Sequence, residues 1–247
     1  MIQGILKRIG TGALALAILL ASGTAWAGRP LDTEDTGTIE PGKAELELSL
    51  NYAKNPGDNT WSTLGVFNFG VLRRFEARVE LPVLLVEPED RKSRAGFGDA
   101  TVGFKYRLLD EKEPLPALLG SLILRLPTGD ADRGLGSEDV DVGLLAVISK
   151  SFRSMTLFGN LGYTIVTRDS DLNFWTFNAA VEQRATQAWS LVGEVVSTVG
   201  DSKAADTVVL RLGSVYALTD RIKLDGAVGF GVTKESPDVM VTVGGTI

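Results

Sequence analysis

Cysteine and histidine are both missing from the 247 residues. Without cysteine there are no disulfides, no thiolate metal sites and no lipoprotein anchor, which needs a cysteine directly after a cleaved leader. Without histidine, the general base of outer-membrane phospholipases, deacylases and omptin-type proteases is gone, and those reactions are closed. A carboxylate pair would be the remaining catalytic route. The acids that would face an interior alternate with bases along the chain, as in ion-paired barrel interiors, so no enzyme activity, cofactor or metal is expected. Beyond the first 27 residues no apolar run reaches the roughly twenty residues of a spanning helix, so any membrane crossing must be made by a closed sheet. Basic residues are also in deficit, 25 against 31 acids, and unclustered, which argues against nucleic acid as a partner.

Residues 1–27 have the layout of a signal peptide. Lys7 and Arg8 supply its charged start, residues 13–21 its apolar run, and Ala25-Trp26-Ala27 its cleavage site. Cleavage after Ala27 would take the net charge from −6 to −8 and leave one all-β domain's worth of chain.

What the sequence has in abundance is alternation. Along residues 43–52, Ala44, Leu46, Leu48, Leu50 and Tyr52 fall on one face, and Lys43, Glu45, Glu47, Ser49 and Asn51 on the other. Twelve such stretches are separated by turn residues, the pattern of an antiparallel transmembrane β-barrel. They cover residues 43–52, 64–72, 75–83, 99–108, 117–126 and 139–149, then 155–166, 173–184, 188–199, 207–217, 222–232 and 238–247. The connections alternate between long ones, read as outer loops, and short ones, read as periplasmic turns, and an even count returns both ends of the barrel to the same side. Large aromatics on the outward face gather near strand ends. Phe75, Tyr106, Trp189 and Tyr216 mark the periplasmic side, and Tyr52, Tyr163 and Trp175 the outer side, as membrane girdles do. Residues 28–42 lack any period and hold four acids and two prolines, which leaves the lumen or the periplasm for them.

Two motifs dissolve on inspection. Asp130-Ala131-Asp132-Arg133-Gly134 resembles a calcium loop, but Leu135 stands where an EF-hand needs glycine and Arg133 places a cation inside the run. It reads as a solvated outer loop. Gly96-Phe97-Gly98 resembles the start of a dinucleotide fingerprint with no helix to follow, and reads as a flexible lead into the next strand.

The polar faces carry the candidate site. Glu47, Arg78, Glu80, Lys105, Arg125, Asn178, Glu194 and Arg211 are the expected lumen-lining residues. Charges inside a barrel either fill and rigidify it or line a polar path, and twelve strands give a narrow, gated or partly plugged lumen. Folding 188–199 onto 207–217 sets Glu194 opposite Arg211. Folding the preceding strand about Thr186 brings Asn178 level with Glu194, so an amide, a carboxylate and a guanidinium would share one layer that acts as ion pair and constriction.

The segment Arg29-Pro30-Leu31-Asp32-Thr33-Glu34-Asp35-Thr36-Gly37-Thr38, followed by Gly42-Lys43 and Glu45-Leu46-Glu47, resembles the mature start of proteins of the MetA-pathway of phenol degradation family. Residues 75–82, Gly96-Phe97-Gly98-Asp99 leading to Lys105-Tyr106, Pro127-Thr128-Gly129-Asp130, and Gly193-Glu194 resemble its later motifs. The resemblance implies an outer-membrane β-barrel transporter linked by name to aromatic-compound metabolism. The chain departs from outer-membrane barrels in general by ending Gly244-Gly245-Thr246-Ile247 and not on an aromatic residue.

The reading is therefore an outer-membrane barrel, in a Gram-negative-type envelope, that passes a small solute passively, an aromatic or hydrophobic compound being the class suggested by the resemblance. Its expected partners are outer-membrane lipid and lipopolysaccharide, the barrel-assembly machinery and that small-molecule solute. The competing readings are a closed structural or adhesive barrel and a soluble periplasmic β-protein that binds a hydrophobic ligand.

Overall fold

The computed structural model describes residues 28–247; the leader lies outside them. The strands are β1 (Ala44–Asn55), β2 (Asp58–Leu72), β3 (Phe75–Pro88), β4 (Arg94–Phe97), β5 (Thr101–Leu109), β6 (Ala117–Arg125) and β7 (Asp141–Phe152). They continue with β8 (Met155–Ile165), β9 (Phe174–Arg184), β10 (Trp189–Gly200), β11 (Thr207–Ala217), β12 (Lys223–Gly231) and β13 (Val239–Thr246). Every pairing is antiparallel, and β1 closes the sheet by pairing with β13. Short β4 and longer β5 share the same side of β3, one above the other, so the wall has twelve staves. Closure gives each of the twelve staves two neighbours, as a sheet in hydrocarbon requires, and short β4 pairs with β3 alone at the loop end.

Alternation sorts the side chains between two environments. On the outside, Leu48, Leu144, Leu191 and Leu212 are 48, 57, 51 and 69% exposed. On the inside, Lys105, Glu194 and Arg211 are each only 5% exposed. A protein that buries its ions and presents its leucines is built for a hydrocarbon surround, since in water the same surface would be a single large apolar patch. The outward aromatics pair across strands: Tyr52 with Trp61 and Tyr163 with Trp175 at ring-centroid distances of 4.7 Å towards the loop end, and Trp189 with Tyr216 at 6.3 Å towards the turn end.

Two outer connections differ from the expectation drawn from alternation. Residues 53–63 are not a loop, because β1 and β2 continue as a ladder to a two-residue turn at Pro56-Gly57. Proline fixes φ at the first turn position, and Gly57 takes φ 90° at the second, as a type II turn demands. Likewise β3 continues to Pro88 and is met by β4 where a long loop was expected. The ladder outlasts the alternation for a physical reason. Above the hydrocarbon both faces meet water, so strands there are held by backbone pairing and polar tips such as Asn55 on Asp58, with no selection for an apolar face.

The register places Glu194 directly opposite Arg211. It does not place Asn178 level with Glu194. Ala180 occupies that position, and Asn178 pairs with Val196 on β10 and Asn160 on β8. The turn from β9 to β10 is centred on Gln187, one residue later than expected, and a one-residue shift of the centre moves the pairing by two, which preserves the inward face but changes the level.

Candidate functional site

Residues 29–39 cross the lumen and hold to inward side chains around most of its circumference. Arg29 meets Asp225 of β12 at 2.8 Å and donates to Thr242 of β13. The Pro30 carbonyl accepts from Arg211 Nη2 at 2.8 Å. Glu194 then accepts four bonds from the segment: two from the Asp32 N–H at 3.0 and 3.1 Å, one from the Thr33 N–H at 2.9 Å and one from the Thr33 hydroxyl at 2.7 Å. Asn160 pairs with Glu34 as one strand would, accepting from its N–H at 2.7 Å and donating to its carbonyl at 2.9 Å. Further along, Thr36 meets Ser149 at 2.5 Å and the Ile39 N–H donates to Glu76 at 2.8 Å. An aperiodic segment has no sheet to satisfy its backbone, so inward carboxylates and amides do so instead.

Glu34 is the electrostatic centre of this arrangement. Its carboxylate takes Arg78 Nη1 at 2.6 Å through one oxygen and Lys105 Nζ at 2.8 Å through the other. Arg78 is also bound by Glu80 at 2.9 Å, and Lys105 lies 3.7 Å from Glu76 and 3.8 Å from Asp35. Burial would raise the Glu34 pKa, but Lys105 and Arg78 overcome it and hold the carboxyl down at about 2. Two glycines make room for the inward guanidiniums. Arg78 faces Gly103 across the β3–β5 pairing and Arg211 faces Gly229 across β11–β12. A Cβ at either glycine would come within 2.8 or 2.7 Å of the arginine Cγ.

The segment divides the lumen into two cavities. One, of about 420 Å³, lies towards the loop end between β13, β1, β2, β3 and residues 28–34. The other, of about 540 Å³, lies towards the turn end and is lined by more charges, among them Glu45, Glu76, Lys105, Arg107, Glu111 and Lys223. Among the described residues, only Gly28, Glu34, Glu47 and Arg78 line both. These residues form the partition between the cavities.

The expected site residues therefore separate into groups. Glu47, Arg78, Glu80 and Arg211 line the loop-end cavity, and Glu47, Arg78 and Lys105 the turn-end one. Glu47 accepts from Asn68 at 2.7 Å. Glu194 is capped by the crossing segment and lines neither cavity, and Arg211, 3.2 Å from Glu194, is tied also to Asp32 at 2.5 Å. Asn178 is buried and accepts from the Ser197 N–H. Arg125 pairs with Asp141 at the loop-end rim and lines neither cavity. Glu34 is the functional residue that alternation missed, since it lies outside every strand. The available signal was charge: residues 28–42 carry four acids beside inward bases that need partners.

Several solved structures share this fold. An outer membrane channel from Pseudomonas putida F1 aligns with a TM-score of 0.66 at 14% identity, over 87% of this chain and 98% of that one. The NanC porin aligns with a TM-score of 0.59 at 9% identity, over 81% and 98% of the two chains. The CymD monoaromatic hydrocarbon channel aligns with a TM-score of 0.52 at 11% identity, over 84% and 88%. At these identities the likeness is one of fold. None of the curated proteins matches the chain. The family model described as "Putative MetA-pathway of phenol degradation" matches residues 27–247, the whole barrel and its lumenal segment, and the chain belongs to that family.

Proposed function

We propose that this protein is an outer-membrane channel for passive passage of a small solute of aromatic or hydrophobic character. The observation that carries this reading is the pair of cavities on either side of one thin partition, which together run most of the way through a closed barrel. A barrel whose loops alone did the work would gain nothing from two lined chambers and could fill its interior with packed side chains, as small barrels do. A soluble binding protein would not expose its leucines around the whole circumference. The family's name links it to phenol degradation, and two of the proteins sharing the fold are described as channels, one of them for monoaromatic hydrocarbons. In this reading outer-membrane lipid and lipopolysaccharide surround the apolar belt, and the barrel-assembly machinery inserts it after the leader is cleaved.

The lumenal segment makes the resting conductance small, and passage needs the partition to yield. Purified protein in planar bilayers is expected to give small, discrete conductance steps, and liposomes carrying it to admit phenol-sized neutral solutes faster than disaccharides. Liposomes no more permeable than protein-free controls to every solute tried would overturn the reading.

A further inference from the structure

The loop-end cavity differs in chemistry from its neighbour. Its upper wall carries no ions: inward Thr60 and Ser62 of β2 and Asn51 of β1 present hydroxyls and an amide, and Leu64, Val66 and Met240 present an aliphatic surface. The charges lie at its floor and each has a partner, Arg78 held by Glu34 and Glu80, Glu47 by Asn68, and Arg211 by Glu194 and Asp32. Asn51 organises the polar side, donating to Ser49 at 3.1 Å and to Ser62 at 3.2 Å while accepting from Thr242 at 2.6 Å. Because Ser62 accepts from the amide, its own O–H is free to donate to something in the cavity. At about 420 Å³ the space falls within the range of small-molecule sites.

From this we infer that the loop-end cavity is a binding chamber for a small uncharged molecule that joins one hydroxyl to an apolar ring. The inference rests on the passage reading and names the solute class that reaches the partition first. The apolar side removes the ring from water, and the Asn51–Ser62 side pairs the hydroxyl, so neither part is left unsatisfied. An anionic analogue would lose its hydration and find no unpaired cation, since Arg29, Arg78 and Arg211 are each held by a carboxylate. The chamber therefore selects against anions before the solute meets Glu34 and Arg78.

The test uses the full-length protein in planar bilayers and in detergent, with phenol, cyclohexanol and benzoate as probes. Phenol and cyclohexanol are expected to block the ion current reversibly, with benzoate at least tenfold weaker. Filling the chamber from two different strands, by Ser62→Phe and separately by Met240→Phe, should abolish the block while the heat-modifiable band of a folded barrel persists. Equal block by benzoate, or block unchanged in a folded chamber-filled variant, overturns the chamber. If the protein conducts nothing, saturation-transfer NMR of phenol on the detergent-solubilised protein decides. Binding lost in Ser62→Phe upholds the chamber while the passage reading fails, and no binding overturns both.

Discussion

Thr33 and Glu34 are neighbours in the chain yet hold opposite walls of the barrel. Thr33 grips Glu194 on β10 through its N–H and hydroxyl, and Glu34 grips Arg78 on β3, six staves away around the sheet. One peptide link thus spans the lumen, and the two carboxylate clusters are joined by covalent structure. Glu194 and Arg211 at one wall and Lys105 and Glu76 at the other are buried, and leaving a buried charge without its partner costs far more than the pair contributes when intact.

Removing the carboxylate at Glu194 should therefore loosen the segment. Glu194→Ala orphans the Asp32 and Thr33 amides, while Arg211 keeps Asp32, so the expected loss of stability is about 3 kcal/mol, the lower end for a broken buried pair. Thr33→Ala removes one hydroxyl bond to a charged acceptor and should cost about 1.5 to 3 kcal/mol. Hydrogen exchange of residues 29–39 would show the first variant deprotected across the whole segment and the second only near Thr33. Unchanged exchange in Glu194→Ala would mean that the segment is held elsewhere.

The outward face can be tested independently of the lumen. Leu48 faces outward and is 48% exposed, whereas its neighbour Glu47 lines both cavities. Arginine at a mid-depth lipid-facing site costs about 2 to 4 kcal/mol, so Leu48→Arg should lower reversible unfolding stability by that amount. Glu47→Gln retains an oxygen for Asn68 and should stay within about 1 kcal/mol of the native protein. Equal losses in the two variants would mean that the assigned faces are wrong.

Much of this structure is written in the alternation, and what escapes it does so for identifiable reasons. The strand at Thr207–Ala217 has the same bounds in sequence and structure, and the Glu194–Arg211 pairing follows from where the intervening loop is centred. Alternation reports an interface between lipid and lumen, so it falls silent at residues 53–63 and 84–88, where the ladder rises into water on both faces. Asn178 lies two residues from the expected level because the exact centre of the β9–β10 turn is invisible to a period of two. The crossing segment leaves no periodic signal at all. Thr33 and Glu34 act through position on an irregular path, and their acids and hydroxyls look like any polar linker until the lumen is built around them.

The loop end carries its own lock, with a definite pH dependence. Asp99, between β4 and β5, accepts from the Gly129 N–H at 3.0 Å and from the Ser137 N–H and hydroxyl at 2.7 Å each. Burial acts to raise its pKa, but these bonds, chiefly that from the Ser137 hydroxyl, outweigh it and hold the carboxyl below its ordinary value of 3.8. The stabilisation from a depressed acid is complete above the unfolded pKa and disappears as pH falls through the lower folded one. Exchange protection of the Gly129 and Ser137 amides, corrected for intrinsic rates, should thus be flat from pH 7 to 5 and fall only below 3.8. Asp99→Asn should reduce protection at pH 7, and a native profile that declined between pH 6 and 5 would exclude Asp99 as the group responsible.

Arg78 reaches Glu34 by lying over Gly103, where an added Cβ would sit 2.8 Å from Arg78 Cγ and 3.0 Å from Nε. Gly103→Ala cannot keep both atoms in place. The contact lies near the root of the arginine, so rotation of its far end gives no relief, and the guanidinium must leave Glu34, Glu80 or both. Overpacking of this kind costs about 1 to 3 kcal/mol. Glu34 keeps Lys105, so the segment should remain in the lumen while the partition between the two cavities opens on the Arg78 side. Two readouts then move together: unitary conductance should rise, and selectivity should shift towards cations, because Glu47 and Glu80 lose the guanidinium between them. Arg78→Ala should reproduce both changes without the steric cost, whereas Gly229→Ala, which crowds Arg211 in the same way but away from the partition, should destabilise the barrel while leaving the Arg78–Glu34 contact closed. If Gly103→Ala folds and conducts with native selectivity, the partition lies elsewhere and Arg78 is a structural residue of the wall.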